Sequence, residues 1–386
     1  MSRQPLGAPA RPLLLRQMNA RTVLEMIRER APVSRAEIAR LAGISKPTVS
    51  LALRALEDAG LVREAPAPDA EGPTYGATFY EPDPDAAAVL AIDIGGRYLR
   101  SVLADVSGSV RAREDAVTAE LAADGILSTI PDVVRRLLAA TGVPADRVAG
   151  AVVGVPGVVS PATGEVSLAE NVPGLEGEQV AARLQEALAL PVKVFNDVNL
   201  AAIGERDEGA GRDVASFVFV SVGTGLGAGV VVGGELLAGS HGAAGELDLM
   251  RPAASGDDPS APAIRRYAAE TAGRGRARRP TDTVEIFALA RDGDEWALDV
   301  VTEVARRVCA HVVPIAAIVD PELVVLGGGI GGNGDLLLPP LREMLERELP
   351  FPPTVLTTQL RDDAVLAGAL ALGVADAREW SIARQE

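Results

Sequence analysis

The longest apolar stretch of the chain, Val214 to Gly234, contains no charged residue. It is long enough to cross a bilayer as a helix, but its six glycines weaken a helix and its valines favour strands. The pattern therefore predicts two buried strands, VASFVFVSV and GAGVVVGG, joined by a glycine turn. Backbone N–H groups in such a turn can face an anion, although an ordinary tight hairpin accounts for the pattern equally well.

A second stretch, Val89 to Val110, repeats this design as a strand, a glycine turn and a returning strand. Two such hairpins in one chain suggest two related lobes. Helical patterns follow in both halves, in STIPDVVRRLLAAT and in DEWALDVVTEVARRVCAHVVPIAAIV. The apolar pattern therefore predicts an α/β body of two lobes with a cleft between them.

The N-terminal part has a different, helical pattern. Ser34 and Glu37 form a capping box at the start of a short helix, which Gly43 ends. Ser45 can cap a second helix, which ends near Gly60. The buried stripe of this second helix is predicted to consist of Val49, Ala52, Leu53 and Leu56. Two helices around a short glycine turn are typical of the helix-turn-helix, whose second helix enters the major groove of DNA.

Polar and basic residues lie off this apolar stripe. The candidate DNA contacts are Arg35, Ser45, Lys46, Thr48, Ser50 and Arg54, with Arg63 near a phosphate. GLVRE and PTYGATFYEP fit two strands of a wing behind the helices. A small helical bundle or a dimerisation module remains the alternative for this head.

Charge divides the chain at the same place. Residues 1 to 64 hold 11 Arg or Lys and 6 Asp or Glu, a balance of +5, whereas the remainder holds 26 and 47, a balance of −21. A basic head on an acidic body suggests that the head binds phosphates. The alternative is that the charge imbalance is merely exposed to solvent and binds no partner.

Composition sets further limits. A chain of 386 residues can hold two or three domains with ample core. Its one cysteine, Cys309, excludes a disulfide framework and a cysteine-rich metal site. No charged and apolar leader opens the sequence, so we expect a cytoplasmic protein without a membrane partner. The segment Glu64 to Ala88, rich in Pro, Gly, Asp and Ala, is expected to be a connector with at most one short hairpin.

Seven motifs from Val89 to about Ala377 resemble the ROK family of sugar kinases and transcriptional repressors. They are DIGGRYLR, GVPGVVSPATG, NVPGL, FNDVNLAAIGE, SVGTGLGAG, GAAGEL and DPELVVLGGGI. The resemblance implies a two-lobed actin-like or hexokinase-type (ribonuclease H-like) ATPase fold, behind the winged helix-turn-helix found in the repressor branch. We expect a head with connector at residues 1–80, one lobe at 89–200 and the other at 213–386. The C-terminal helix is expected to pack back on the first lobe.

The resemblance also implies roles for residues in the cleft. In the family's kinases two glycine hairpins cradle the phosphates of ATP, and the Asp of FNDVN takes the proton of a sugar hydroxyl while the Asn binds the sugar. Here the phosphate loops correspond to Asp93, Gly95, Gly96, Gly223, Thr224 and Gly225. Asn196 and Asp197 occupy the FNDVN positions, although Asn-Asp at a strand end also fits a turn or a helix cap.

Several positions depart from the kinase pattern. Arg97 stands where the first phosphate loop normally has a small hydroxyl residue, which makes ATP binding doubtful. Leu249 replaces a histidine that binds both sugar and zinc, and the family's cysteine cluster is absent, so we expect no zinc and no other metal. Arg265 aligns, within a residue or two, with a second sugar-binding Glu.

These departures favour a DNA-binding repressor with a non-catalytic ROK body over an active sugar kinase that carries a DNA-binding head. Asp197 is then a vestigial base. The expected partners are operator DNA with an inverted repeat, bound by a homodimer or a dimer of dimers, and a small effector such as a sugar or sugar phosphate. The candidate effector contacts are Gly157, Asn171, Asn196, Asp197, Glu246 and Arg265.

Overall fold

The structure is a computed structural model that describes residues 12–67, 76–119, 121–169, 171–249, 256–272 and 282–383. Its N-terminal head contains three helices and three short strands: α1 (Pro12–Arg30), β1 (Val33–Ser34), α2 (Arg35–Ala42), α3 (Lys46–Asp58), β2 (Val62–Ala65) and β3 (Phe79–Pro82). The strands form an antiparallel sheet in the order β1-β3-β2. The two predicted wing strands are thus present, and the residues between positions 67 and 76 lie outside the described part.

The head helices begin and end where the sequence predicted. The Ser34 hydroxyl accepts a hydrogen bond from the backbone N–H of Glu37 at 3.3 Å, and Gly43 ends α2 with a φ of 66°. Ser45 caps α3 in the same way as Ser34 caps α2. The predicted stripe is buried: Val49, Ala52, Leu53 and Leu56. Local capping and one apolar face therefore determine this part of the fold.

The first helix, α1, was not predicted from the sequence. Its side chains Val23, Leu24 and Ile27 are almost fully buried, and they share one core with the stripe of α3. The head is therefore a three-helix unit with a small sheet at one side.

The first lobe consists of β4 (Ala88–Ile94), β5 (Tyr98–Asp105), β6 (Val110–Val117), α4 (Ala123–Thr141), β7 (Val148–Val155), β8 (Val158–Val159), β9 (Val166–Ser167), α5 (Val180–Leu188), β10 (Val192–Asn196) and α6 (Asp197–Asp207). Five strands form one sheet in the order β10-β7-β4-β5-β6. The β4–β5 and β5–β6 pairs are antiparallel, whereas β7 runs parallel to both β4 and β10.

The second lobe repeats this plan. It consists of β11 (Phe217–Val222), β12 (Leu226–Val232), β13 (Glu235–Leu236), α7 (Ala261–Thr271), α8 (Thr283–Arg291), α9 (Glu295–Val319), β14 (Leu323–Gly327), α10 (Gly328–Gly331), α11 (Gly334–Glu348), β15 (Thr354–Thr357) and α12 (Ala364–Ala383). Its sheet has the order β13-β12-β11-β14-β15, with the same pattern of parallel and antiparallel pairs. The prediction of two related lobes, each opening with a glycine hairpin, is confirmed.

Helices α6 and α12 lie between the two sheets. Leu200 and Ile203 of α6 share a core with Leu366 and Ala369 of α12 and with strands of the first lobe. On its other side α6 packs on β12. A Cβ added at Gly229 of β12 would lie only 2.8 Å from the carbonyl oxygen of Val198 in α6, so the two backbones are in close contact. The two helices therefore join the lobes.

The far half of α12 joins the body to the head. Val374 and Ala377 share the core of the head helices. The Arg21 guanidinium of α1 donates to both carboxylate oxygens of Glu379 at 2.9 and 3.1 Å. Arg28 donates to the hydroxyl of Ser381 at 3.3 Å. The predicted domain boundaries stay predictions, and β3 runs two residues past the predicted end of the head.

Among the described residues, no helix is long and apolar enough to span a membrane. The uncharged stretch from Val214 to Gly234 forms β11 and β12, as its glycines and valines indicated.

Candidate nucleic-acid interface and ligand cleft

Helix α3 presents an exposed face with two cations. Lys46 and Arg54 are exposed, and neither side chain makes a hydrogen bond or ion pair with another residue in the described part of the chain. Thr48 and Ser50 are half-buried beside them. Because the apolar stripe of α3 faces the head core, this polar face points away from the protein, as a recognition helix requires.

Four of the predicted DNA contacts, Arg35, Ser45, Thr48 and Ser50, make side-chain hydrogen bonds within α2, α3 and the turn between them. The Ser45 hydroxyl accepts from the N–H of Thr48 at 3.3 Å and lies 2.8 Å from the Thr48 hydroxyl. The Ser50 hydroxyl donates to the carbonyl of Lys46 at 2.9 Å and accepts from Arg35 at 3.3 Å. Ser45 therefore acts first as a helix cap, and its DNA contact stays a prediction.

Arg63 lies on the wing strand β2, where it faces a carboxylate. Its Nε donates to Glu81 of β3 at 2.7 Å, across the antiparallel pair Arg63–Glu81. Both groups are on the surface, so the ion pair is weak and leaves the guanidinium able to meet a phosphate.

Two carboxylates occupy the floor of the cleft between the lobes. Asp93 lies near the end of β4, where burial raises its pKa to about 6 against the opposing effect of Arg100. Asp197 begins α6, and burial raises its pKa to about 7, with further increases from the charges of Asp93 and Glu246. Because the charges of Asp93 and Glu246 both raise the pKa of Asp197, we infer that the three carboxylates lie near one another.

Asn196 holds the end of β10 and the start of α6. Its side-chain oxygen accepts from the N–H of Asn199 at 2.9 Å, and its amide nitrogen donates to the carbonyl of Gly157 at 2.9 Å. Gly157 has a φ of 92°, and a side chain there would collide with the backbone of Ser167. The helix-cap alternative for Asn196 is thus observed, while its contact with an effector, like that of Gly157, stays a prediction.

Glu246 reaches the cleft from the second lobe. The preceding Gly245 lies against β12, because its carbonyl accepts from the N–H of Ala228 at 2.8 Å. Glu246 is partly buried, and burial followed by the charge of Asp248 raises its pKa. Glu246 therefore belongs to the second lobe and acts electrostatically on Asp197 of the first.

Asn171 lies between the two glycine hairpins. A Cβ added at Gly96 would lie 2.8 Å from the carbonyl oxygen of Asn171, and one added at Gly225 would lie 3.6 Å from its side-chain nitrogen. The first glycine hairpin, with Gly95, and the second, with Gly223 and Thr224, therefore approach each other across this residue. The structure thus brings Asn171 beside both predicted loops.

The positions that depart from the kinase pattern lie around the cleft. Arg97 is exposed at the first hairpin, and its carbonyl accepts from the N–H of Thr118 at 2.9 Å. Leu249 is 62% exposed, so its side chain is not packed in an apolar pocket of the described residues. Arg265 is exposed on α7, which starts beside the second loop through a 2.7 Å bond from Ala261 N–H to the carbonyl of Gly223.

The predicted effector contacts are therefore only partly assembled. Among the described residues, Arg265 forms no hydrogen bond or ion pair with Asn196, Asp197 or Glu246. Residues 250–255 and 273–281, which flank its helix and contain the predicted GRGRARRP loop, lie outside the described part. The role of Arg265 stays a prediction.

No group of three or more metal-binding side chains occurs in the part of the chain that the structure describes. The absence of zinc was expected from the sequence and stays a prediction. Cys309 and His311 are both buried in α9, where the His311 Nδ1 lies 2.9 Å from the carbonyl of Arg307.

Sequence reasoning missed the partner of Asp93. Arg100 stands opposite Asp93 in the β4–β5 register, and its guanidinium lies 3.1 Å from the carboxylate. A second nitrogen lies 3.6 Å from Asp362, which precedes α12. The opposite charges seven residues apart in a predicted hairpin were the signal that could have shown this pair.

The fold and the site define a two-lobed ROK-type body behind a winged helix-turn-helix. The ROK family model matches residues 89–375, and a helix-turn-helix domain model matches residues 15–65. The chain belongs to the ROK family. Its recognition from sequence motifs is confirmed.

Individual relatives cover either the whole chain or only its body. The xylose repressor of Caldicellulosiruptor bescii is 27% identical over 391 residues, which cover 94% of this chain and 97% of that protein. A ROK family transcriptional regulator described as a homolog of the E. coli MLC protein has a TM-score of 0.76 at 23% identity, over 96% of this chain and 98% of its own. A ROK family glucokinase from Streptomyces griseus, solved with glucose and AMPPNP, has a TM-score of 0.63 at 28% identity and covers 74% of this chain and 99% of its own.

Proposed function

We propose that the protein is a sequence-specific DNA-binding repressor of sugar-related genes, whose ROK body senses a small molecule and does not catalyse phosphoryl transfer. The observation that carries this proposal is the exposed basic face of α3, held by a buried apolar stripe on a head that is joined to a ROK body. The xylose repressor of C. bescii has a matching length across both parts. Because its target is DNA, we place the protein in the cytoplasm.

The first experiment tests α3. The full-length protein is used to select its binding site from genomic or random duplexes, and operator affinity is measured for a triple variant, Lys46→Ala, Thr48→Ala and Arg54→Ala. We expect a large loss of affinity and a salt dependence shallower by about two, since two cations that release counterions are removed. Arg266→Ala, which removes an exposed cation from the body, is the control. Unchanged affinity of the triple variant overturns the proposal.

The residues of the cleft do not fit Mg²⁺ and ATP. Phosphoryl transfer from ATP needs a divalent cation to neutralise charge on the phosphates. The Asp93 carboxylate beside the first glycine hairpin already has a cation as its partner, because the Arg100 guanidinium lies 3.1 Å away. Arg97 adds a long side chain at the same hairpin. These residues support a body without catalytic activity.

An active sugar kinase is the second candidate function. Asp197 favours it, because a carboxyl group whose pKa is raised to about 7 suits a general base near neutral pH. The discriminating measurement is ATP consumption against a panel of hexoses, with Asp197→Asn as the inactive control. Turnover that Asp197→Asn abolishes supports the kinase, whereas no turnover above the control supports the repressor.

A contiguous path links the cleft to the head. Asn196 caps α6 at the cleft floor, α6 packs along α12, and the far end of α12 holds α1 through Glu379 and its neighbours. A ligand that displaces the start of α6 can therefore move the head, provided that it binds the DNA-competent and DNA-released forms unequally. We propose that effector binding acts on DNA affinity through these two helices.

The effector is proposed to be anionic. The cluster of Asn196, Asp197 and Glu246 can still hold sugar hydroxyls, while Arg265 would add a guanidinium that binds phosphate or carboxylate. Calorimetry with glucose and glucose 6-phosphate tests this, with Arg265→Ala and its neighbour Arg266→Ala as a matched pair. Tight binding of the unmodified sugar, insensitive to Arg265, contradicts an anionic effector.

We also propose that the operator is an inverted repeat bound by a homodimer or a dimer of dimers. One short recognition helix contacts few base pairs, and two-fold pairing doubles the length of the site. Sedimentation of the protein with and without operator, together with footprinting, tests both statements. Protection of a single half-site by a monomer contradicts them.

A further inference from the structure

Leu51 is exposed on the face of α3 that lies opposite its buried stripe. Its relative exposure is 64%, whereas the other large apolar residues of this helix, Val49, Leu53 and Leu56, are at most 2% exposed. Leu51 lies three residues after Thr48 and three before Arg54, so these residues share one face of the helix. An isolated leucine on a polar helix face adds nothing to the head core.

The surroundings of Leu51 indicate the chemistry of its partner. Lys46 and Arg54 on the same helix and Arg35 of α2 are exposed cations. A partner that covers this face must therefore present anionic groups around an apolar spot. The major groove of DNA has this arrangement, because phosphates line its edges and each thymine presents a C5-methyl group on its floor.

We propose that Leu51 contacts a thymine methyl group in each half-site of the operator and thereby specifies thymine at that position. This inference rests on the proposed DNA-binding function and adds to it one base position that is read by an apolar contact. Of the four bases only thymine carries a methyl group at the major-groove edge, so this contact discriminates without any hydrogen bond. The polar and basic neighbours supply phosphate and hydrogen-bond contacts instead.

The test removes the methyl group and leaves the base pair unchanged. A binding site is first selected from a random duplex library with the full-length protein. Each thymine of the selected site is then replaced in turn by uracil, and the dissociation constant is measured. We expect one thymine per half-site at which uracil weakens binding by about fourfold, the effect of losing one buried methyl-sized contact.

Variants of Leu51 assign the effect to this side chain. Leu51→Ala should bind the selected site less tightly and should lose its sensitivity to uracil at that thymine. Leu51→Met retains an apolar side chain of similar volume and should retain the sensitivity. Val284→Ala, which shortens an exposed apolar side chain on α8, should behave as the wild type.

The outcomes separate the inference from the function on which it rests. If a site is selected but no thymine is sensitive to uracil, or if Leu51→Ala remains sensitive, the contact proposed for Leu51 is wrong and the DNA-binding function stands. If no sequence is enriched, the proposed function is wrong and the inference falls with it. Sensitivity at one thymine that disappears only in Leu51→Ala supports both.

Discussion

Gly204 of α6 and Gly368 of α12 face each other where the two helices cross. A Cβ added at Gly204 would lie 2.9 Å from the backbone nitrogen of Gly368, and a Cβ added at Gly368 would lie 3.0 Å from that of Gly204. The crossing therefore brings the two backbones into direct contact. Because backbone atoms cannot move aside as a flexible side chain can, the pair fixes the distance between the helices that join the lobes.

Gly368→Ala should destabilise the protein. The added methyl group would also collide with the carbonyl oxygen of Leu200, so the helices must separate or unfold locally. Overpacking of this kind costs about 1 to 3 kcal/mol, and more where backbone must shift. Chemical denaturation monitored by circular dichroism measures the loss.

Gly125→Ala is the matched control for this substitution. Gly125 lies in the first turn of α4, and a Cβ there would meet only the side chain of Leu121 at an ordinary distance of 3.4 Å. Alanine is the better helix former, so we expect unchanged or slightly higher stability. Equal effects of the two substitutions on stability would contradict the backbone contact between α6 and α12 at Gly368.

Ala377→Glu should release the head from the body. Ala377 is fully buried in the core shared by α12 and the head, and an unpaired charge in such a place costs several kcal/mol. Trp380 lies against the same core and can report the change, after Trp296→Phe removes the other tryptophan of the chain. We expect a red shift of its emission and stronger acrylamide quenching.

Ala375→Glu provides the comparison on the same helix. Ala375 is exposed, so a glutamate there should leave the emission of Trp380 and the operator affinity unchanged. Indistinguishable spectra for Ala375→Glu and Ala377→Glu would show that α12 does not hold the head in solution.

Asp197→Asn should stabilise the protein above neutral pH. Burial raises the pKa of Asp197 from its ordinary 3.8 to about 7, so the native state holds a proton that the unfolded chain releases. Stability attributable to this group therefore falls as the pH rises from about 4 to about 7. Asparagine removes the buried charge. We therefore expect the free energy of unfolding to rise by roughly 1 to 3 kcal/mol at pH 8, and this gain to disappear towards pH 4.

Asp335→Asn should show the opposite dependence. The hydrogen bond from Arg291 lowers the pKa of Asp335, so its contribution to stability is present above the ordinary pKa and disappears as the pH falls. Asparagine at this exposed site should slightly lower the free energy of unfolding at neutral pH, and this effect should vanish in acid. Denaturant melts of both variants at several pH values give the comparison, and parallel profiles would refute the assignment of the shifts.

Glu81→Gln should strengthen DNA binding. Glu81 holds Arg63 of the wing at 2.7 Å, and its removal frees a cation for a phosphate. We expect operator affinity to rise a few-fold and the slope of its logarithm against that of salt concentration to steepen by up to about one. In an Arg63→Ala background the same substitution should lose this effect, and an undiminished gain there would show that Arg63 is not involved.

Local signals made much of the fold predictable. The caps at Ser34 and Ser45 and the two glycine hairpins are determined by neighbouring residues, which a sequence displays directly. The Asp93–Arg100 pair was missed because it depends on the register of one hairpin. The surroundings of Arg265 could not be predicted because the loops beside α7 differ in length and composition from the family's zinc loop.

The glycines of the second-lobe hairpin fall into two groups with different structural roles. A Cβ added at Gly223 or Gly225 would make only ordinary contacts, none closer than 3.6 Å, whereas a Cβ at Gly227 would lie 3.2 Å from Val198 of α6. Gly227 and Gly229 are therefore needed for the close packing of β12 on α6. This packing requirement does not depend on nucleotide binding. A protein of this fold would keep Gly227 for packing alone, whether or not the cleft binds a nucleotide. Only Gly223 and Gly225 bear on whether this hairpin can approach a phosphate.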